Sequence, residues 1–521
     1  MRFNNWSKSH SFPLPMRYPR VFVKYSTYTK KPLSLQAVVI IVLTIAIHAL
    51  FGYYLTRIYL KSAHPNNQPV NDILDISVLW LAPFLSGSGY GAEALSFIQG
   101  LHKHITNLTI YHFGDIVEEE YLSSLSEETE KLLKQLWAPN ETLPSYFIKR
   151  QYEDDQVARK LDTRRRMFPD GTLIREPILR SLHDVVIVQS IPRGWEPYLF
   201  ETAKYRVGRT VFETDRLPDE WAQHCNNEVD EVWVPTEFNV KTFAGSGVKS
   251  HMLHVLPQTV DTNTFSHPSI TPRPRPPECL DSDFIFLSVF RWGGRKGTEF
   301  LLEAFLREFS PEDSACLVIL TATHKMRTNA TYYHGLIHQF ANDLGITSAI
   351  RPRIAVLEPS ISNQDMPGLY AMANAFVLVS RGEGWGRPYT EAMMMNVPVI
   401  ATNWSAHTEF ITPETGYLVK VDKLDLFPSD DEEMMNYWGH LLARPSICHL
   451  RQVMRFVKEN PQDAKRKAIN AKQLISTRFN QNAVTNTILN HLKRIKAKLT
   501  TENVEHMLAT RAKQIIAQGA I

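Results

Sequence analysis

The sequence predicts an α/β protein of two doubly wound, Rossmann-like domains facing across a cleft, preceded by one transmembrane helix. Three observations carry this. Short apolar runs alternate with helical segments in two successive arrays, five prolines between Pro268 and Pro277 separate the arrays, and one uncharged segment, Leu33–Leu55, precedes both. A chain of 521 residues exceeds what one hydrophobic core supports, and 44% hydrophobic against 21% charged residues is a globular composition. Wholesale disorder, collagen, a disulfide mini-scaffold and a multi-span transporter are excluded.

Residues 1–32 read as a cytosolic basic tail. The formal net charge of +3 is uneven: residues 1–71 hold nine Lys or Arg and no Asp or Glu, leaving 48 basic against 54 acidic residues in the remainder. The basic character therefore belongs to the tail, and no nucleic-acid partner is expected. Residues 33–55 read as the anchor, roughly 34 Å long as a helix against a ~30 Å hydrocarbon core. Tyr53, Tyr54 and Tyr59 cluster at its far end, as an interfacial belt would. Seven Lys or Arg precede the span and only Arg57 and Lys61 closely follow it, which keeps the N-terminus cytosolic. The expectation is a single-pass type II membrane protein with a lumenal body in Golgi or ER. An organellar transit peptide, hence an organellar membrane, is the alternative. Asn107, Asn140, Asn329 and Asn403 open N-glycosylation sequons, consistent with a lumenal glycoprotein.

Residues 56–72 are a stem. The N-terminal Rossmann-like domain, 73–267, has predicted strands at Ile73–Leu81, Val185–Gln189, Val211–Glu213 and Glu231–Pro235, with a helix at Ala92–His104. Residues 268–283 form a Pro-rich linker, since such proline density suits neither helix nor central strand. The second domain, 284–460, has predicted strands at Phe284–Phe290, Leu317–Leu320, Ile354–Leu357, Ala375–Ser380 and Val397–Thr402. Residues 461–521 are C-terminal helices, within a stretch from Glu432 onward that reads as mostly helical.

The sharpest motif is Arg381-Gly-Glu-Gly-Trp-Gly-Arg-Pro-Tyr-Thr-Glu-Ala-Met, at the carboxyl end of a predicted parallel strand, where ligands bind in this architecture. Its glycines allow close backbone approach, Pro388 suits a first helical turn, and Glu383 and Glu391 stand eight positions apart. Amide donors at a helix start hold a diphosphate, and carboxylates accept from sugar hydroxyls. A second motif, LSVFRWGGRKGTEFLLEAF, places Arg295 and Lys296 in a glycine turn between strand and helix. A third, Leu85-Ser-Gly-Ser-Gly-Tyr-Gly, follows the first strand with the spacing G-x-G-x-G rather than that of a dinucleotide fingerprint. A fourth, Phe212-Glu-Thr-Asp-Arg, offers Glu213 and Asp215 either to acceptor hydroxyls or as caps of the next helix.

GEGWGRPYTEAMMMNVPVIAT resembles the E-x7-E region of retaining glycosyltransferase family 4, the group 1 glycosyltransferases of GT-B fold. The resemblance covers roughly Ile73 to Phe479. It implies that Glu383 contacts donor-sugar hydroxyls and Glu391 the nucleotide ribose, with Gly384, Trp385 and Gly386 also on the donor. It gives Arg295 and Lys296 the donor diphosphate; Arg291 stands one residue closer to Lys296 than in aligned members. Gly87, Gly89 and Gly91 correspond to the N-domain loop facing donor phosphate and acceptor, and Thr408-Glu409 and Thr415-Gly416 to a trailing segment near the donor. Many relatives carry a histidine where this chain has Gln189, so that either Gln189 or its neighbours supply the polar contact.

The resemblance implies a hexosyltransferase acting on a UDP- or GDP-sugar and a glycan, glycoprotein or lipid-linked acceptor. Catalysis would rest on Glu383, Lys296 and Arg295, with no cofactor and no metal requirement, because fixed cations stabilise the departing phosphate. The alternatives are a catalytically silent GT-B sugar-binding or scaffold protein and a nucleotide-sugar epimerase.

Asp281-Ser-Asp283 reads as a charged linker, and Arg164–Arg166 as a solvated face. The four cysteines have no metal or redox spacing, and their pairing is not legible. The basic stretch 463–498 either packs back on the N-terminal domain or lies near the membrane surface.

Overall fold

Two six-stranded sheets, parallel throughout, organise the molecule. The first has the order β2-β1-β3-β4-β5-β6 and the second β12-β11-β10-β7-β8-β9. The computed structural model describes residues 73–137, 182–322, 329–357, 361–362, 364–427 and 437–501. These fall in one unit, Pro65–Ile521; the other, Met1–His64, lies outside the described residues together with the rest of the tail, anchor and stem. So do the Asn140 sequon and Arg164–Arg166. Among the described residues no helix is long and apolar enough to cross a membrane.

In the N-terminal half the elements are β1 (Leu74–Ala82), α1 (Gly89–Leu101), β2 (Ile105–His112), α2 (Glu119–Ser123), α3 (Glu127–Leu136), β3 (His183–Gln189), β4 (Ala203–Arg209), α4 (Trp221–Asn227), β5 (Glu231–Val234), α5 (Glu237–Gly245) and β6 (Leu253–Val255). β1 is apolar on both faces, as a central parallel strand must be. Val78 and Trp80 enter one core with Phe97 and Trp233, whereas Leu79 and Leu81 enter another with Val186 and Trp195.

The C-terminal half holds β7 (Phe284–Arg291), α6 (Thr298–Glu308), β8 (Ala315–Ala322), α7 (Ala330–Asp343), β9 (Arg353–Leu357), α8 (Met366–Met372), β10 (Ala375–Leu378), α9 (Arg387–Met394), β11 (Val399–Thr402), β12 (Tyr417–Val419), β13 (Val421–Leu426), β14 (Leu441–Pro445), α10 (Ile447–Glu459) and α11 (Pro461–Arg478). The last described helix, α12 (Gln481–Thr501), returns to the first half. Val484, Ile488, Leu492 and Ile495 of α12 join Trp80 and Phe97 in one core. Each such buried side chain contributes roughly 1.5–3 kcal/mol. Arg494 adds an ion pair to buried Glu231 at 2.8 Å. Of the basic stretch, α12 thus packs on the N-terminal half, whereas Ala464, Ala471 and Ile475 of α11 join the core of the C-terminal half.

Several expectations are corrected. The strand expected at Val211–Glu213 is irregular backbone, and the strand itself is Ala203–Arg209. Its sequence AKYRVGR hides the apolar pattern because Arg206 pairs with Asp230 and Arg209 with buried Glu93. β2 and β6 carry polar residues too, and they escaped the search for apolar runs. Of the stretch from Glu432, residues 432–436 lie outside the described residues, and Leu441–Pro445 is not helical but forms β14, an antiparallel ribbon with β13. Asp283 is no solvated linker group: it is 2% exposed and accepts from Arg353 Nε and Nη2 at 2.6 Å each. Beside it, Cys279 in the linker bonds to Cys316 on β8.

Candidate active site

The loop from β10 into α9 is shaped by its own polar groups. The Gly382 amide donates to Ser380 Oγ at 3.2 Å, and the Glu383 amide to Ser405 Oγ at 2.9 Å. Ser405 Oγ in turn donates to the Glu383 carbonyl at 2.6 Å. Gly386 sits at φ +99°, where a Cβ would lie 2.5 Å from the Tyr389 ring, so the position needs glycine for both reasons. A Cβ on Gly382 would lie 2.5 Å from the Glu213 carbonyl, which shows how closely the N-terminal half approaches this loop.

The Arg295-Lys296 turn docks on that loop through its backbone. The Arg381 amide donates to the Arg295 carbonyl at 2.8 Å. Gly297 ends the turn at φ +70°, where a Cβ would sit 2.2 Å from the Val379 carbonyl. The two cations are thereby brought onto Glu383: Lys296 Nζ lies 2.5 Å from Oε1 and Arg295 Nη1 3.4 Å from Oε2. Arg295 also donates to the Gly382 carbonyl at 2.6 Å and reaches Glu213 Oε1 at 3.2 Å. Tyr437 donates to that same Glu213 oxygen at 2.6 Å.

Charge is thus concentrated in a poorly solvated place. Burial pushes the Glu383 carboxyl up, but Lys296 and Arg295 outweigh it and hold it at about 2. Burial and then neighbouring Arg295 pull the Lys296 ammonium down against the opposing pull of Glu383. Burial disfavours the Arg295 charge too, yet Glu213 and Glu383 overcome it and raise its pKa. Such a cluster is a pair of cations held ready by carboxylates, able to turn toward an incoming diphosphate.

Glu391 lies on α9, where Tyr370 donates to it at 2.8 Å and Arg387 Nε stands 3.8 Å away. Trp385 is a correction. Its side chain is 3% exposed and packs on Phe410 and Phe479 at 4.9 and 5.1 Å, so the indole is a core group and only its backbone belongs to the loop. Glu409 pairs with Arg478 of α11 at 3.6 Å, and Thr415 Oγ1 donates to the Phe410 carbonyl; both tie the segment after β11 to the core. Sequence reasoning missed Ser405 and His407 there. His407 Nε2 is 2.7 Å from the Thr402 carbonyl, its ring packs tilted against Tyr389 at 4.8 Å, and burial lowers its pKa to about 4. Their position just past a parallel strand's carboxyl end was the available signal.

On the N-terminal side, Gly91 needs to be glycine, since a Cβ would lie 2.2 Å from the Ser86 carbonyl, whereas a Cβ on Gly89 meets nothing within 4 Å. Ser88 caps α1 by accepting from the Gly91 amide at 3.2 Å. Tyr90 Oη accepts from the Val211 amide at 3.1 Å, and burial raises this phenol to about 12. A Cβ on Gly384 would be 3.1 Å from Val211, so this path leads from the Gly87–Gly91 loop to the Glu383 loop.

Gln189 is a second correction. It is fully buried, accepts from Trp80 Nε1 at 3.0 Å and donates to Glu93 at 2.6 Å and to the Tyr90 carbonyl at 3.2 Å. All its polar capacity serves the interior beneath the loop, so it offers no contact to a sugar. Glu213 and Asp215 neither cap the next helix nor stand free. Asp215 accepts from the Leu441 amide at 2.7 Å, while Phe212 stacks on Tyr437 at 5.4 Å and Thr214 meets His440 at 2.7 Å. The segment bolts the N-terminal half to β14. Nothing in the sequence marked Tyr437 or Leu441 as its partners, because both lie more than 200 residues away.

A groove of about 760 Å³ runs between Asn263–Pro274 and Gln364–Gly368, and no sequence-predicted site residue lines it. Among the described residues no cluster of three or more His, Cys, Asp or Glu is placed to hold a metal ion.

Fold and site together define a class, a two-sheet α/β protein with its charged cluster at the strands' carboxyl ends. Residues 281–435 match the model of the group 1 glycosyl transferases, so this stretch of the chain reads as a group 1 glycosyltransferase domain. It is 24% identical over 301 residues to mannosylfructose-phosphate synthase of Agrobacterium fabrum, a match spanning 55% of this chain and 60% of that relative's length. The fold is similar to Anabaena HepE solved with UDP and glucose, at TM-score 0.51 and 15% identity over 80% of this chain and all of HepE. It is also similar to a glycosyltransferase of Rickettsia africae, at TM-score 0.53 and 16% identity over 82% of this chain and 99% of that one. The fold is therefore GT-B-like.

Proposed function

We propose that this protein is a retaining hexosyltransferase that takes its sugar from a nucleotide-sugar donor, UDP- or GDP-linked, and passes it to a glycan, glycoprotein or lipid-linked acceptor. The observation that carries this is the cluster of Lys296 and Arg295 on Glu383 at the carboxyl end of β10. HepE, of similar fold, holds UDP and glucose, which supports a UDP-sugar as donor.

In this reading the donor diphosphate draws Lys296 and Arg295 toward itself. Glu383, released from part of its ion pairing, accepts from hydroxyls of the donor sugar. Glu391, oriented by Tyr370, takes the ribose. The two cations and the loop amides stabilise negative charge on the departing diphosphate, worth a factor of roughly 10² to 10³ per donor group in comparable sites. That supply of fixed positive charge is the ground for expecting no metal requirement.

The anchor at 33–55 favours a macromolecular or lipid-linked acceptor. The Cys279–Cys316 disulfide supports a lumenal, oxidising location for the body, since cytosolic thiols are kept reduced.

Nucleotide release measured with purified protein over a panel of UDP- and GDP-sugars in EDTA tests the reading. Turnover of one donor with the anomeric configuration kept, seen by proton NMR of the product, is expected. Inversion, or release only after a divalent metal is added, would contradict it.

A further inference from the structure

Arg295 is braced by groups from both halves of the molecule. Its Nε lies 3.2 Å from Glu213 Oε1, while its Nη1 donates to the Gly382 carbonyl at 2.6 Å and stands 3.4 Å from Glu383 Oε2. Among the described residues Nη2 has no hydrogen-bond partner, and the side chain keeps 21% of its surface exposed, so a ligand can reach it. Glu213 is itself fixed. Tyr437 Oη donates to the same Oε1 at 2.6 Å, and Ser405 Oγ, on the Glu383 loop, lies 3.4 Å from the Glu213 carbonyl. One residue earlier, Phe212 stacks on Tyr437 at 5.4 Å and its carbonyl accepts from buried Asn239 Nδ2 at 2.6 Å. One residue later, Thr214 Oγ1 meets His440 Nδ1 at 2.7 Å. With 9% of Glu213 exposed, its carboxylate is committed to Arg295 and Tyr437 rather than to water.

Resting on the glycosyltransferase reading above, we infer that Glu213 is a positioning residue: held by Tyr437, its carboxylate fixes the Arg295 guanidinium so that the open Nη2 is presented to the donor diphosphate. A guanidinium is a planar fork that bonds well in only one orientation, on a side chain with many rotamers. Acceptors on Nε and Nη1 set that plane beforehand, so the orientation is already in place when charge develops on the leaving group. Without Glu213 the remaining carboxylate beside Arg295 is Glu383, and the guanidinium would settle on the group assigned to the donor sugar. Glu213 comes from the N-terminal half, whereas Arg295 and Tyr437 come from the C-terminal half. The diphosphate site is therefore complete only with the Phe212–Asp215 segment seated on the C-terminal half.

The test is a double-mutant cycle on the full-length protein, read as kcat for nucleotide release from the UDP- or GDP-sugar that wild type turns over. Glu213→Ala and Glu213→Gln should each lower kcat at least about threefold, the alanine variant more, because glutamine keeps an oxygen for Tyr437 and Arg295. In an Arg295→Ala background the same substitutions should change kcat less than about twofold, since the residue they act through is gone. Losses that persist in that background would overturn the inference, because a group that only bolts the halves together is missed whether or not Arg295 is present. Smaller losses in the wild-type background would overturn it too. Should the alanine variant fail to fold, the glutamine cycle decides alone. A wild type that turns over no donor would count against the proposed function instead, and the cycle would then be read on UDP and GDP affinity by calorimetry, with the same pattern expected. Absence of binding of either nucleotide to wild type would overturn the positioning role as well.

Discussion

The molecule holds two glycine-rich loops, each following a parallel strand and opening a helix, and they are built for different work. In the loop after β10, Gly386 is forced by its positive φ and Gly382 by the approach of the Glu213 carbonyl; two cations stand on the Glu383 carboxylate. In the loop after β1, Gly91 is forced but Gly89 is not, and a carboxylate from Glu118 already covers the donors. The same backbone device meets two cations in one loop and a carboxylate in the other. A glycine pattern alone does not tell the two apart.

The strongest way to break the contrast is Lys296→Ala. Donor turnover should fall roughly 10²- to 10³-fold in kcat, the usual cost of removing one group that stabilises developing charge. Buried Glu383 also loses its nearest cation, so the melting temperature should drop as well, measurable by calorimetry.

The pH dependence separates the loops next. His407, beside the first loop, is held neutral by burial at about 4, below its ordinary 6.5. The unfolded chain therefore binds this proton first as pH falls, so stability is full above about 6.5 and is lost progressively down to about 4, by up to about 3 kcal/mol. Denaturant melts of wild type and His407→Gln across that range should show the slope reduced in the variant. For Glu383, held at about 2, the contribution to stability is present above its unfolded value near 4.3 and is lost as pH falls toward 2, a separate and lower window.

Glycine substitutions sharpen the comparison within the second loop. Gly91→Ala should destabilise by about 2 kcal/mol or more, since its Cβ would strike two backbone carbonyls. Gly89→Ala should stay within about 0.5 kcal/mol of wild type, its Cβ meeting open space. Tyr437→Phe is a mild test of the bolt between the halves. Losing its hydrogen bond to Glu213 should cost about 1 kcal/mol in denaturant melts.

Much of this is legible in the sequence. Apolar runs at β1, β3, β7 and β10 and the proline-rich separator predicted two parallel α/β arrays, and the glycine motifs fell at strand ends. Strands with charged residues were not legible: β4 hides Arg206 and Arg209, whose partners Asp230 and Glu93 lie elsewhere in the chain. For the same reason Glu383, Lys296 and Arg295 could be named but not joined. That Gln189 and the Trp385 indole are buried is not legible in the sequence, because a motif gives position along the chain and not the direction of a side chain. Glu118 lay outside every motif, and only the fold brings it onto Gly87.

The most direct test of the central contrast is calorimetric titration of UDP and GDP into wild type, Lys296→Ala and Gly89→Ala. The account predicts that one nucleotide binds wild type and Gly89→Ala alike but binds Lys296→Ala at least tenfold more weakly. Unchanged affinity in Lys296→Ala would contradict it, because the cation on Glu383 would then not be what holds the diphosphate.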